Sequence, residues 1–306
     1  MLFVTGASGL LGSAVLLGAH DAGVSVAGQY WQHPLQIPGV TTHKINLRDH
    51  DSIRTTLELL RPEAIIHCAA ATNVDWCEDH PQEAYEINAR VSGILAETAH
   101  VLGARFVYIS TDAVFDGEVG GYSESDSTSP LNTYAKSKLQ GEREVLRVHP
   151  ESLVMRVNIY GWNAQNKYSL AEWVLSELSA GKSVPGFIDV WFCPMLANDL
   201  AELIVAAIKR ELRGVYHVSG SEKISKYDFA RRVAETFEFY TDAVKPTRLA
   251  DAKLRAPRSP DMSLDTSKIV HALGRQMPDV KSGLFRFRHL REGGYPQRVK
   301  SYVTGV

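Results

Sequence analysis

The sequence predicts an α/β protein: a doubly wound parallel sheet with helices on both faces, followed by a smaller α/β lobe. Three observations predict it. Short apolar runs alternate with longer stretches of helical periodicity through the first half of the chain. The runs are continuously apolar, as expected of strands covered by helices on both faces. A glycine-rich turn, Gly6-Ala7-Ser8-Gly9-Leu10-Leu11-Gly12, joins the first run to the first helix.

The elements follow in order. Residues 2–5 give a first strand that stops at Gly6. Residues 10–22 read as a helix, with Leu11, Val15, Leu16 and Ala19 on one face and Gly23 at the end. Residues 24–28 and 41–45 give two more strands. Residues 49–60 form a helix that Asp49 is placed to cap; Ile53, Leu57 and Leu60 recur at spacings of three and four, and Pro62 ends it. A strand at 64–69 precedes a long helix at 81–102, whose face is Ala84, Ile87, Val91, Leu95 and Ala99. Residues 105–110 are a strand, 134–148 a helix and 152–157 a strand. Beyond about residue 160 the alternation gives out. Helical stretches at 169–180, 198–209 and 226–237 are separated by loops containing proline and glycine. Residues 214–218 give one more strand, and the chain from about 242 has little periodicity. This organisation predicts a nucleotide-binding domain over 1–160, completed by segments near 195–218, and a partly interleaved lobe over 161–306.

Composition narrows the function. The 306 residues carry a net charge of -2, too near neutral for a nucleic-acid binder as a whole. With 44% hydrophobic residues the chain is not disordered. No apolar run approaches the ~20 residues of a membrane span, and the start of the chain has no signal-peptide pattern. Cys68, Cys77 and Cys193 form no CxxC, so a reducing, cytoplasmic setting is expected. His67-Cys68 and the Cys77/His80 pair fall short of a ligand set, and no metal is expected. Arg286, Arg288, Arg291, Arg298 and Lys300 make the C-terminal stretch basic, which reads as a solvated tail.

The glycine turn points to a dinucleotide. Gly6 suits the tight turn, Gly9 lets a pyrophosphate approach the backbone, and Gly12 lets the helix pack on the sheet. The free N–H groups and positive dipole end of the helix then face the phosphates. Leu10-Leu11-Gly12-Ser13 supplies no lysine, so the turn is not the phosphate loop of NTPases. NAD-binding proteins carry an acid after the second strand. Here Gly28-Gln29-Tyr30-Trp31-Gln32-His33 has none, which favours NADP and leaves NAD open. Trp31 reads first as a packing residue and second as a border for the adenine.

Tyr134 and Lys138 stand four apart, on one face of a helix. Such a pair suits a surface helix equally well, but a nearby ammonium also favours phenolate and brings a tyrosine toward acid–base work. Thr111 lies at the C-terminal end of the strand at 105–110, where open α/β sheets place their ligands.

Taken together, the glycine turn, Ser110-Thr111-Asp112, Val114-Phe115-Asp116-Gly117, Pro130-Leu131-Asn132 and Tyr134-x-x-x-Lys138-x-x-Gly141-Glu142 resemble the extended short-chain dehydrogenase/reductases. The likeness is to the branch that contains the dTDP-4-dehydrorhamnose reductases. Arg61-Pro62, His67 to Ala71, Asn88 and Tyr216 to Gly220 fit that branch as well. The resemblance implies a Rossmann fold and a carbonyl reductase. Tyr134 would protonate the alkoxide, Lys138 would hold the nicotinamide ribose, and Thr111 would hold the substrate carbonyl. It implies a cofactor site of Gly6, Ala7, Ser8, Gly9, Leu10, Leu11, Gly12, Leu47, Ala69, Ala70, Ala71, Tyr134 and Lys138. It implies a nucleotide-sugar substrate on Thr111, Asp112, Asn158 and Arg258, with Asn88 as a brace, and it admits a homodimer. The departures lie in the second lobe: Arg156 to Gly161 lacks the Trp usual in the reductases, and Ser259 and Met262 replace a Pro and a Ser. The same family contains the regulatory β subunit of methionine adenosyltransferase, which Lys226-Tyr227 also resembles. The sequence thus carries two alternatives, an NADP-binding regulatory subunit and a nucleotide-sugar epimerase. Ala113, where dehydratases have Glu, argues against a dehydratase.

Overall fold

The computed structural model describes residues 1–252 and 254–303. Seven strands make one sheet: β1 (Leu2–Thr5), β2 (Val26–Tyr30), β3 (Thr41–Lys44), β4 (Ala64–His67), β5 (Arg105–Thr111), β6 (Leu153–Val157) and β7 (Gly214–His217). Their order is β7-β6-β5-β4-β1-β2-β3 and every pairing is parallel. The order reverses between β1 and β4, which opens a crevice at their C-terminal ends. The glycine turn leaves β1 at that crevice, and Ala69 to Ala71 leave β4 beside it.

The helices are α1 (Leu10–Asp21), α2 (His50–Leu60), α3 (Val91–Leu102), α4 (Thr133–Val148), α5 (Leu170–Ser179), α6 (Ala197–Lys209), α7 (Lys226–Thr236) and α8 (Val280–Glu292). Alternate strand residues serve the two faces of the sheet. Leu2, Val4, Ile66, Val107 and Met155 pack with Val15 and Leu16 of α1 and Leu200 and Ile204 of α6. Phe3, Ile65, Phe106, Tyr108 and Val154 pack with Ile53 of α2, Leu95 of α3 and Val145 of α4. A third core, built from Val174, Leu178, Phe192, Phe229, Val233, Leu284 and Phe287, belongs to the second lobe.

Local chemistry sets the helix ends. Asp49 caps α2 through Ser52 N, Asn132 caps α4 through Ala135 N, and Ser169 with Glu172 forms a full capping box on α5. The helix expected at 81–102 runs unbroken through a π-turn, Glu86–Arg90, in which Val91 N–H reaches the Glu86 carbonyl. Single π-turns of this kind collect at functional sites.

Three expectations are corrected. The second strand lies at Val26–Tyr30, two residues later than 24–28. Gly28 is interior to it because a Cβ there would stand 2.8 Å from the Ala7 Cβ. The second lobe holds short strand pairs too brief for periodicity: Ile159–Tyr160 with Met195–Leu196, Val184–Phe187 with Val244–Thr247, and Trp191–Phe192 with Ile224–Ser225. The basic stretch is a docked element, not a solvated tail. Arg298 pairs with both oxygens of Asp21, Arg286 pairs with Asp199 and Glu202, and Arg288 with Glu238 and Glu292. Val299 and Val303 enter the α1 core, and Gln36 N–H donates to the Tyr302 carbonyl. Apart from the local Arg288–Glu292 pair, Arg286, Arg288 and Arg298 face carboxylates far away in the chain, which no local sequence pattern announces.

Phe287 is fully buried, stacked on Trp162 at 4.0 Å between centroids, whereas Phe285 is 72% exposed. Phe287→Ala should therefore cost about 3–5 kcal/mol and Phe285→Ala less than about 0.5 kcal/mol. Urea unfolding of the two variants checks the docking of α8.

Candidate active site

The glycine turn is shaped first by its own packing. Gly6 has a φ of +62°, and a Cβ on it would stand 2.8 Å from Ala69 N and Cα. A Cβ on Gly12 would stand 2.1 Å from the Gly6 carbonyl oxygen. Those two glycines are demanded by the chain itself. A Cβ on Gly9 would meet only the Gly6 oxygen, at 3.2 Å. No side chain caps α1 at Gly9, so the first N–H groups of the helix point outward without intrahelical partners. This is a phosphate cradle, with Gly9 free to let a ligand come close, and the residues fit a dinucleotide.

Gln29 holds the turn in place, a role that no local pattern around it reveals. It is buried, its Oε1 accepts from Gly6 N–H at 3.0 Å, and its Nε2 donates to the Ile45 carbonyl at 2.6 Å. Beneath the turn, Thr5 Oγ1 and Ser92 Oγ bracket the buried His67 ring at 2.7 and 3.0 Å. Burial lowers that imidazole to about 3, so it stays neutral.

Across the crevice, Ala69, Ala70 and Ala71 are partly exposed. Asn88, in the π-turn, braces them: its Oδ1 accepts from Ala71 N–H at 2.8 Å, and its Nδ2 donates to the Ala71 carbonyl and to Ser137 Oγ. Leu47 packs at the edge of the core under β3. At the outer end of β2, Lys44 Nζ stands 5.7 Å from the centroid of the half-exposed Trp31 ring.

Thr111 ends β5 and is nearly buried. Its hydroxyl lies beside the Tyr134 phenol, where it favours phenolate. Desolvation outweighs this, and the phenol is pushed up to about 12. Lys138 does not lower the phenol as the helix spacing led one to expect. Its ammonium turns inward, donating to the Ile109 carbonyl at 2.7 Å and lying 4.0 Å over the Tyr108 ring. Burial brings this lysine down to about 7.

Asp112 and Asn158 meet beside Thr111, with Asn158 Nδ2 donating to Asp112 Oδ2 at 2.5 Å. Arg258 stands farther out, 3.2 Å from Asp75. Between them lies Lys226, which bears electrostatically on Asp112 and feels Arg258. The structure thus brings Thr111, Tyr134, Asp112 and Asn158 together, and sets Lys138 one turn deeper and Arg258 at the rim.

Below the site, Glu142 and Arg156 form a buried ion pair. Arg156 donates from Nε and a terminal nitrogen at 3.0 and 2.8 Å, and Ser110 Oγ adds a donor to Glu142. Removing one partner strands a buried charge, so Glu142→Gln should cost about 3–5 kcal/mol. Adding Arg156→Met should recover part of that loss. Urea unfolding of the single and double variants measures both.

The chain matches the family model described as RmlD substrate binding domain over residues 1–290. It is 32% identical to the probable low-salt glycan biosynthesis reductase Agl14 of Haloferax volcanii, covering 92% of this chain and 95% of that one. It is also 32% identical to methionine adenosyltransferase 2 subunit beta of Danio rerio, covering 94% and 91%. Among solved structures, dTDP-4-dehydrorhamnose reductase from Bacillus anthracis, in complex with NADP, is 27% identical with a TM-score of 0.82, over 94% of this chain and 97% of that one. With its glycine cradle, its Thr111–Tyr134–Lys138 arrangement and a match over nearly its whole length, the chain belongs to the RmlD substrate-binding-domain family.

Proposed function

We propose that the protein is an NADP(H)-dependent reductase of a nucleotide-linked 4-keto-deoxysugar, with Tyr134 as proton donor. The observation that carries the reading is the meeting of Thr111 and Tyr134 at the C-terminal end of β5, with Lys138 one turn deeper, beside a phosphate cradle. Bound NADPH would supply a hydride to the substrate carbonyl. The chain's part is to hold and protonate. The Thr111 hydroxyl hydrogen-bonds the carbonyl oxygen, and the Tyr134 phenol, kept protonated by desolvation, gives its proton to that oxygen as negative charge develops. Lys138, fixed by Ile109 and Tyr108, would hold the nicotinamide ribose. Ala69 to Ala71 leave room for the cofactor. Asn158 and Arg258, with Lys226, line the substrate side.

NADP is favoured over NAD because no carboxylate directly follows β2, and a cation, Lys44 at the end of β3, stands over the Trp31 ring there. Nicotinamide fluorescence on titration with NADPH and NADH tests this preference. The reading also takes the protein as cytoplasmic and as a homodimer, for which sedimentation is the test. A regulatory role is a second reading, favoured by the 32% identity to methionine adenosyltransferase 2 subunit beta. It requires a stoichiometric partner in a pull-down.

Purified protein should oxidise NADPH when given a dTDP-4-keto-deoxysugar, followed by loss of absorbance. Tyr134→Phe should lower that rate by about 10²–10⁴-fold with NADPH affinity kept. Absence of turnover on every 4-keto nucleotide sugar would sink the reading.

Gly9→Ala offers a separate check on the cradle. It should fold with near-wild-type stability, because its Cβ meets so little, yet bind NADPH at least about tenfold more weakly, since the phosphates lose their close approach. Calorimetric titration alongside a thermal melt reads both.

A further inference from the structure

A hydroxyl has one proton to donate, and the Thr111 hydroxyl has rival claimants for it, the Tyr134 phenol beside it among them. Asp112 holds it in this structure: Thr111 Oγ1 donates to Asp112 Oδ1 at 3.2 Å, while Ala113 N–H donates into the same Thr111 oxygen at 3.2 Å. The reductase reading requires that proton on the substrate carbonyl. Asp112 is nearly buried, and its second oxygen is taken by Asn158 at 2.5 Å. Both carboxylate oxygens are thus occupied by the chain's own donors, which leaves Asp112 poorly placed to bind substrate directly.

We propose that Asp112 is a positioning residue that sets the direction of the Thr111 hydroxyl. When its carboxyl is protonated, Asp112 donates to Thr111 Oγ1 and the threonine proton turns to the substrate carbonyl. When it is ionised, Asp112 takes that proton and the carbonyl loses a donor. This inference rests on the reading of Thr111 as the carbonyl's partner. The two states differ by one proton, which Asp112 releases to solvent on ionising, and by a rotation of the Thr111 O–H, which keeps its own proton; no co-reactant is needed.

Groups on every surrounding element bear on Asp112. Thr111, the Ala113 N–H and Asn158 stabilise the carboxylate, as does Lys226 on α7. Tyr134 of α4 and Cys193 of the second lobe sit close enough to feel its charge, and Arg258 acts on Lys226. Burial outweighs the stabilising partners and pushes the carboxyl up to about 6. Both forms are then present near neutral pH, which a switch requires.

The test is the pH dependence of kcat/KM for NADPH-dependent reduction of a 4-keto nucleotide sugar between pH 5 and 8.5. Wild type should fall as pH rises through about 6. Asp112→Asn mimics the protonated form, since its amide donates to Thr111 and its oxygen accepts from Asn158. That variant should lose the limb near pH 6, keep any limb that Lys138 sets near 7, and exceed wild type by at least about tenfold at pH 8. Asp112→Ala, with no donor, should be slow throughout. Stability gives an arm that needs no turnover. A raised folded-state pKa contributes stability that is full below the unfolded value and lost as pH rises through the folded one. The Tm of Asp112→Asn minus that of wild type should therefore grow as pH rises from 4 past 6. A wild-type limb near pH 6 retained in Asp112→Asn, or a Tm difference that does not change with pH, overturns the proposal while the reductase reading stands. Failure of wild type to reduce any such sugar overturns both.

Discussion

The buried pair of Glu142 and Arg156 fixes the helix that carries the chemistry. Glu142 lies one turn past Lys138 and two past Tyr134, so all three share a face of α4. Two nearly buried charges are tolerable only when their hydrogen bonds are filled, and here they are filled by the sheet. Ser110 of β5 donates to Glu142, Arg156 of β6 reaches it twice, and Arg156 also donates toward His217 Nε2 of β7 at 3.3 Å. With Nε2 as acceptor, the His217 Nδ1–H can donate to the Tyr122 carbonyl at 2.9 Å. Three strands and one helix are thereby locked in a single register. A slide of α4 would strand a charge before it moved Tyr134 away from Thr111.

The same helix is held from its other side by an absence of side chain. A Cβ at Gly141 would stand 2.2 Å from the Tyr108 hydroxyl and 2.3 Å from the Asn88 carbonyl oxygen. Tyr108 uses that closeness to donate to the Asn88 carbonyl at 2.8 Å, with the Lys138 carbonyl 3.3 Å away. Asn88 in turn ties Ala71 to Ser137 of α4. One side chain in a π-turn thus links the wall of the cofactor crevice to the helix bearing Tyr134. A displacement on either side is felt by the other through bonds that are already short.

What could be read from the sequence follows how locally each feature is encoded. The strand–helix alternation, the glycine turn and the cap at Asp49 depend on neighbours within a few residues, and they stand out in a single chain. The placement of Thr111 at a strand end and of Tyr134 on a helix followed from the same local signals. Gln29 did not stand out, because its partners, Gly6 and Ile45, come from other strands. The Glu142–Arg156 pair was hidden for the same reason: its members stand fourteen positions apart, one on a helix and one on a strand. The docking of Arg298 on Asp21 spans 277 positions. The strand pairs of the second lobe are two to four residues long, too short for any period to show. Spacing alone also misjudged Lys138. It gave the right helix face but not the direction of the ammonium, which the Ile109 carbonyl and the Tyr108 ring decide.

Burial shifts the titrating groups of the pocket in ways that suit chemistry better than binding. The phenol of Tyr134 rises to about 12, Lys138 falls to about 7 and the Asp112 carboxyl rises to about 6. Each shift means that folding disfavours the charged form, so each charge that persists at neutral pH lowers stability. A module that only had to hold a dinucleotide would fold more securely with neutral, uncharged side chains at 112 and 138, and would lose nothing from a phenylalanine at 134. Clusters of titratable groups shifted together by desolvation are characteristic of sites that move protons. Here they sit on the floor of one crevice, beside a phosphate cradle and within a single turn or two of one another. On the proposed reductase reading, the stability given up in that crevice serves a Tyr134 phenol that stays protonated until a negative charge forms next to it, and a Thr111 hydroxyl whose one proton must face the right way when it does.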